Sequence, residues 1–418
     1  MSSRYAARLM AVNYALTVLL SALLLFQVQP IISKFILPWF GGSPAVWTTC
    51  MVFFQTVLFA GYAYAHLLQG LRPRWQMLIH IGLLALAVSL LPIVPSEAWK
   101  FGTTNSPTWR ILSLLAATVG VPYFAVAATG PLVQTWFARS FAGQSPYRLY
   151  ALSNIGSLFG LLSYPFLVEP RLDLLRQTAM WGMGFISFAI LCALAALCGS
   201  RAPINRCESD ESKDRAAAPD NPPRWAWVLL PALASLMLLA TTNHVCQDVA
   251  VMPFLWVVPL SLYLLSFIIC FDHPRWYRRR EFSLAALATI GGVVVMDQLI
   301  TGGRGVAFSF YQEIVLNFSA LFFLCMVCHG ELFRLRPHPR YLTSFYLSIS
   351  AGGALGGLFV SLVAPRAFST FLEWRFGLLA GGLVAAWVVF DGRRDSLLRR
   401  RFVPIAAGLV AVFVALST

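Results

Sequence analysis

Apolar runs, each long enough for one helical crossing of a bilayer, recur along the whole of this 418-residue chain. A helix needs about 20 residues to cross the hydrocarbon. Within it every backbone N–H and C=O must be satisfied internally, so runs of this kind leave one architecture, a bundle of spanning α-helices. The composition agrees: 58% of residues are hydrophobic and only 11% charged, against roughly 25% charged in soluble domains. The runs fall near 9–29, 46–69, 77–95, 111–133, 149–168 and 177–199, then near 225–242, 250–271, 282–300, 313–328, 341–364, 375–390 and 402–417. Between the sixth and seventh lies a polar stretch, Ser200 to Arg224, with Glu208, Asp210, Glu211, Lys213 and Asp214 followed by Pro219, Pro222 and Pro223, which is linker composition. An all-α membrane protein of about thirteen spans is expected. Residues 1–199 form its first six-helix half, 200–224 the linker, 225–391 the second half and 392–418 an additional span.

The net charge of +14 could point to nucleic acid, but the basic residues sit in short loops between apolar runs and so act as topology signals. One set of alternate loops, with Arg72, Arg74, Arg275, Arg278, Arg334 and Arg340 among them, carries 23 Lys and Arg; the other, from Lys34 to Arg375, carries 8, and together they are all 31. Positively charged loops stay cytoplasmic. The N-terminus and the linker are therefore expected in the cytoplasm and the C-terminus outside, with anionic lipid as partner of the basic face. Arg4 and Arg8 precede the first run and no small-residue cleavage site follows it, so it reads as a retained span. The eight cysteines lie mostly within apolar segments without paired extracellular spacing, the pattern of reduced packing residues.

The two halves share a pattern. Tyr62 and Pro73-Arg74-Trp75 recur as Tyr263 and Pro274-Arg275-Trp276, Gly130 as Gly330, and Tyr150, Gly156, Gly160 and Leu162 as Tyr346, Gly352, Gly356 and Leu358. Matching loops fall on the same side, so the repeats are parallel. Two parallel six-span halves joined by a cytoplasmic linker describe the major-facilitator architecture. Gly156/Gly160 and Gly352/Gly356 put small residues on one helix face, where neighbouring backbones can approach closely.

At several motifs the chain resembles the bacterial spermidine synthase-like membrane proteins. They are Phe26-Gln27-Val28-Gln29-Pro30, Leu37-Pro38-Trp39-Phe40-Gly41-Gly42-Ser43-Pro44, Gly130-Pro131-Leu132, Ser153-Asn154-Ile155-Gly156, Thr242-Asn243-His244 through Gln247-Asp248, and Cys328-His329-Gly330-Glu331-Leu332. That resemblance implies a bacterial inner membrane, a polyamine as solute, and a soluble synthase-like domain fused or associated. No Gly-x-Gly-x-x-Gly follows a strand pattern here and no soluble segment could build a nucleotide-binding fold. Neither enzymatic activity of this chain alone nor a bound cofactor is expected.

Ionisable and amide groups among apolar helices are costly, and those that persist are functional candidates. Asn243, His244, Gln247 and Asp248 form the densest cluster, where the seventh span gives way to the eighth. Gln27 and Gln29 sit at an expected break of the first span at Pro30, and Asn154 lies early in the fifth. Tyr62, Tyr64, Tyr123 and Trp256 offer aromatic faces to a cation. Asp297, Glu169 and Glu331 read as helix caps or partners of nearby arginines, and no metal site is expected. Cys325-x-x-Cys328-His329 has the spacing of a haem attachment motif, but it falls at the end of the tenth span beside the basic loop of Arg334, Arg336 and Arg340, where haem is not attached. Asp272 to Arg280 loosely resembles the loop motif of major-facilitator proteins.

Two readings follow. In the first the chain binds or moves a small polar or cationic solute between its halves by alternating access; in the second it is a non-transporting membrane module of a synthase-like system. Reporter fusions check the topology common to both. Reporters after Asp210 and within Arg275 to Arg280 are expected to score cytoplasmic and one at Thr418 external; a cytoplasmic Thr418 would mean a span miscounted or misread.

Overall fold

The computed structural model describes residues 2–41, 44–100, 107–141, 144, 146–201, 224–246, 255–301, 308–338, 341–368 and 372–391. Most of the linker, the thirteenth span, and Gln247 and Asp248 lie outside the described residues. Twelve helices account for most of the described chain: α1 Ser2–Phe40, α2 Pro44–Leu68, α3 Pro73–Ser89, α4 Thr108–Ser140, α5 Tyr147–Val168, α6 Leu174–Arg201, α7 Ala226–His244, α8 Val257–Asp272, α9 Arg279–Thr301, α10 Phe310–Arg334, α11 Leu342–Ala367 and α12 Leu372–Asp391. Ten of them are long and apolar enough to cross a membrane, and α3 and α8 are shorter, at 17 and 16 residues. Large apolar side chains are exposed along the bundle, including Leu78, Phe166, Ile190, Leu229, Val295, Leu355 and Trp387. So much exposed apolar surface fits contact with lipid rather than water. The protein is a multi-pass membrane protein.

The helices group into two compact units, one of Met1–Pro222 with Arg336–Ser350, the other of Pro223–Leu335 with Ala351–Thr418. In the first, α5 lies across α1 with glycines at the crossing. A Cβ on Gly156 would meet the Leu19 carbonyl oxygen at 2.5 Å, and one on Gly160 the Leu23 carbonyl oxygen at 2.7 Å. In the second unit the same contact is built from Gly352 and Gly356 of α11 against the Val228 and Ala232 carbonyl oxygens of α7. Any side chain at these four positions would push the backbones apart.

The likeness continues beyond the glycines. The helix carrying each pair passes into a π turn, Tyr164–Val168 in α5 and Phe359–Val363 in α11, 195 residues apart. A π turn disturbs the i→i−4 ladder and leaves carbonyls short of partners. An arginine serves each: Arg171 Nη1 donates to the Phe166 and Leu167 carbonyls at 2.9 and 3.3 Å, and Arg366 Nη1 to the Leu362 carbonyl. Arg171 and Arg366, like Leu167 and Leu362, are themselves 195 residues apart.

The first helix corrects one expectation. α1 does not break at Pro30 but runs through it, and through Pro38, to Phe40. Proline removes a single N–H, and a membrane helix tolerates that where neighbouring helices pack against it; here α5 does, with Gly160 against Phe26. The helix stops at Gly41, whose φ of +87° places it in the left-handed region while its N–H donates to the Leu37 carbonyl at 2.9 Å. That is a glycine C-cap. At the other extreme α10 opens with a capping box, Ser309 and Gln312 each accepting from the other's backbone N–H.

The glycine contacts give a direct test. Gly356→Leu should lower stability in detergent by about 1–3 kcal/mol through overpacking. Gly353→Ala, with open space where its Cβ would go, should leave the melting temperature unchanged or slightly higher. Equal melting curves for Gly356→Leu and the parent would show that this crossing is not tight.

Candidate functional site

Gln27 and Gln29 are two residues apart on a helix, which turns them to different sides. Gln27, 8% exposed, donates its Nε2 to Ser163 Oγ of α5 at 3.1 Å. Gln29 faces α4, its Nε2 sharing long contacts of 3.4 Å with the Tyr123 hydroxyl and the Leu25 carbonyl. Gln29 also lines a small pocket with Ser33, Cys50, Met51 and Phe54. The two amides therefore meet different partners: Gln27 bridges α1 to α5, and Gln29 holds two long hydrogen bonds beside a void.

Asn154 spends its amide inside its own helix, donating to the Tyr150 carbonyl at 2.8 Å. Near it the first unit gathers tyrosines, with the rings of Tyr150 and Tyr346 stacked at 4.8 Å and Tyr147 close by. Tyr346 is fully buried and its hydroxyl has no partner. The composition did not single out this group, although Tyr150 and Tyr346 are matched positions of the repeat.

In the second unit Asn243 and His244 end α7 and are half-buried. The His244 imidazole stacks on the Trp374 indole of α12, centroids 4.0 Å apart and planes 27° apart. The glycine contacts pair Leu19 with Val228 and Leu23 with Ala232, a register in which Asn243 corresponds to Lys34, while Gln27 and Gln29 correspond to Leu236 and Leu238. Gln247 and Asp248 lie outside the described residues, so their part in the cluster stays a sequence expectation.

The charged candidates are paired. Lys34 meets Glu169 at 2.6 Å, and Arg375 meets Asp297 at 3.1 Å. Glu331, 3% exposed, is held by Arg279 at 2.9 Å, by Arg334 at 2.9 Å and by the Tyr277 hydroxyl at 3.0 Å. Burial, followed by the Glu331 carboxylate, holds the Tyr277 phenol well above its ordinary range. The ring of Tyr277 lies flat on α10 at Gly330, where a Cβ would come within 2.5 Å of it. This Gly-Glu pair therefore anchors the α8–α9 connection. Cys325, Cys328 and His329 are fully buried within α10; His329 Nδ1 is 2.8 Å from Ser266 Oγ and its ring stacks on Phe267. They belong to the packed interior.

No protein-family model and no curated protein matches the chain. Among solved structures, the chain is similar to an inward-open conformation of the xylose transporter XylE from E. coli. The TM-score is 0.52 at 13% identity, over 91% of this chain and 96% of that one. The protein has the major-facilitator fold. Nothing in these comparisons connects it to spermidine synthase-like proteins.

The Glu331 anchor carries the prediction from this geometry. Breaking a buried ion pair from one side leaves its partners uncompensated, and allowing for the half-exposed Arg334, Glu331→Gln should cost about 2–3 kcal/mol in detergent unfolding. Tyr277→Phe, which loses one hydrogen bond, should cost about 1 kcal/mol. If both variants melt with the parent, the α8–α9 connection is held by something other than Glu331.

Proposed function

We propose that the protein transports a small polar solute by alternating access and that Gln29 of α1 is one of its solute contacts. The major-facilitator fold supports transport as the class of activity. Gln29 is the observation that carries the site. Inside an apolar bundle an amide normally finds full-strength partners, since leaving one unsatisfied costs about 1–3 kcal/mol. The bonds of Gln29 are long, and it faces a pocket with a second hydroxyl, Ser33, on its rim. An arrangement of that kind suits a solute that offers hydrogen bonds when present.

Uptake by lipid vesicles containing only this chain tests the reading and separates it from the scaffold alternative. The panel should hold a polyamine (spermidine), a pentose (xylose, the substrate named for the structural neighbour), an amino acid and an amino alcohol. At least one solute should be accumulated or counter-exchanged above empty vesicles, and Gln29→Leu should lower that rate at least tenfold, roughly 1.4 kcal/mol. Vesicles with folded protein that exchange none of the four would remove the transport reading. Uptake indifferent to Gln29→Leu would remove only the residue.

A further inference from the structure

Where α7 ends and α12 begins, three buried side chains each lack a partner that comparable side chains elsewhere in the molecule have. The first is Thr241. Threonines in membrane helices usually return their hydroxyl to the preceding turn, as Thr17, Thr129, Thr135, Thr242 and Thr289 do here. Thr241 is 1% exposed, yet its Oγ1 has no partner. The second is Trp374. Buried indoles normally donate their N–H, and those of Trp136, Trp181 and Trp227 reach Gln76, the Leu24 carbonyl and the Leu335 carbonyl. Trp374, 3% exposed, donates to nothing. The third is Glu373. Two carboxylates are buried among the described residues, Glu331 and Glu373; Glu331 has two arginines and a tyrosine, whereas Glu373, 6% exposed, has no ion pair among the described residues and meets only its own backbone N–H.

The three departures share one place. α12 runs antiparallel to α7, since a Cβ on Gly377 would strike Met237 while Trp374, one turn earlier, stacks on His244. Thr241 lies one turn beyond Met237 and one turn before His244, on the face that α12 covers. Glu373 lies four residues before Gly377 and so on the same face of α12, the face that meets Met237 of α7. A buried carboxylate without a countercharge, a hydroxyl and an indole N–H thus converge in an apolar wall. Helix-end geometry explains neither orphan, because the Thr241 hydroxyl and the Trp374 N–H are more than nine-tenths buried and need partners whatever the fate of the backbone, while Glu373 meets only its own backbone N–H.

We propose that Glu373, Thr241 and Trp374 form a binding site for a small protonated amino alcohol. Glu373 requires a cation that donates, which an ammonium group does. Trp374 Nε1–H requires an acceptor, which a hydroxyl oxygen provides, and the Thr241 hydroxyl either donates or accepts. A fully protonated polyamine has only donors and would leave the indole unmet. An amino acid brings a second carboxylate beside Glu373, where like charges repel. An amino alcohol satisfies all three groups with one charge. This deepens the transport reading by naming a solute class, and it rests on that reading for its purpose.

Calorimetric titration of the purified full chain in detergent with 2-aminoethanol at pH 7 tests the site. Saturable binding is expected, weaker at least tenfold with ethylamine, which lacks the acceptor, and with ethane-1,2-diol, which lacks the cation. E373Q and W374F should each weaken it at least tenfold. W374F keeps the ring and the His244 stack, so it remains informative if E373Q fails to fold. Absence of saturable binding, equal binding of either truncated probe, or unchanged binding in W374F would each overturn the proposal. The two readings fail separately. Binding that E373Q abolishes, in a protein whose vesicles exchange nothing, keeps the site and removes transport; uptake untouched by E373Q and W374F keeps transport and removes the site.

Discussion

Backbone contact between the first and fifth helices of each half is the constraint from which the remaining geometry follows. Gly156 and Gly160 bring α5 onto the carbonyls of α1, and Gly352 and Gly356 bring α11 onto those of α7. At that separation short polar side chains can bridge the pair. Gln27 reaches Ser163 in the first half, and Ser235 reaches the Gly353 carbonyl at 2.9 Å in the second. Lipid offers no hydrophobic gain for helix association, so close packing and such cross-links must supply it. A larger residue at any of the four glycines would lose both at once.

The apolar setting makes every unmade hydrogen bond informative. Most polar groups here are spoken for: threonines bond back into their helices, indoles reach carbonyls, and Lys34, Arg375 and Arg279 neutralise the acids near them. The rule has exceptions scattered singly, as at His80 and Tyr346, and gathered, as at Thr241 and Trp374. A single orphan costs about 1–3 kcal/mol and can be carried by good packing. Two orphans beside a carboxylate that has no ion pair among the described residues cost more than one, and their persistence in one place points to a ligand.

Sequence periodicity made the helices and the matching glycines legible, because each depends on residue type at fixed spacing. What depended on three-dimensional environment was not. Pro30 read as a break because proline interrupts an isolated helix, whereas here packing against α5 carries the helix through. Gln27 and Gln29 lie two residues apart in sequence, yet a helix turns them to different partners. Glu373 and Trp374 were missed for a related reason. A hydropathy window starting at 375 excludes a glutamate two residues earlier, although Glu373 and Trp374 in that first turn of α12 are buried. Their signal was the juxtaposition of an acid and an indole at a span end, which gains meaning only once Thr241 is known to face them.

The two candidate solute contacts lie on helices with a common structural role. Gln29 belongs to α1 and Thr241 to α7, the helices whose carbonyls receive the glycine faces. Each contact lies on the stretch C-terminal to the glycine crossing, six residues beyond Leu23 in one case and nine beyond Ala232 in the other. A side chain on a helix fixed by backbone contact loses little further freedom when a ligand arrives, so more of its interaction energy appears as affinity. Thr241 meets such a ligand with a hydroxyl that has no partner, and Gln29 with an amide whose two hydrogen bonds are long.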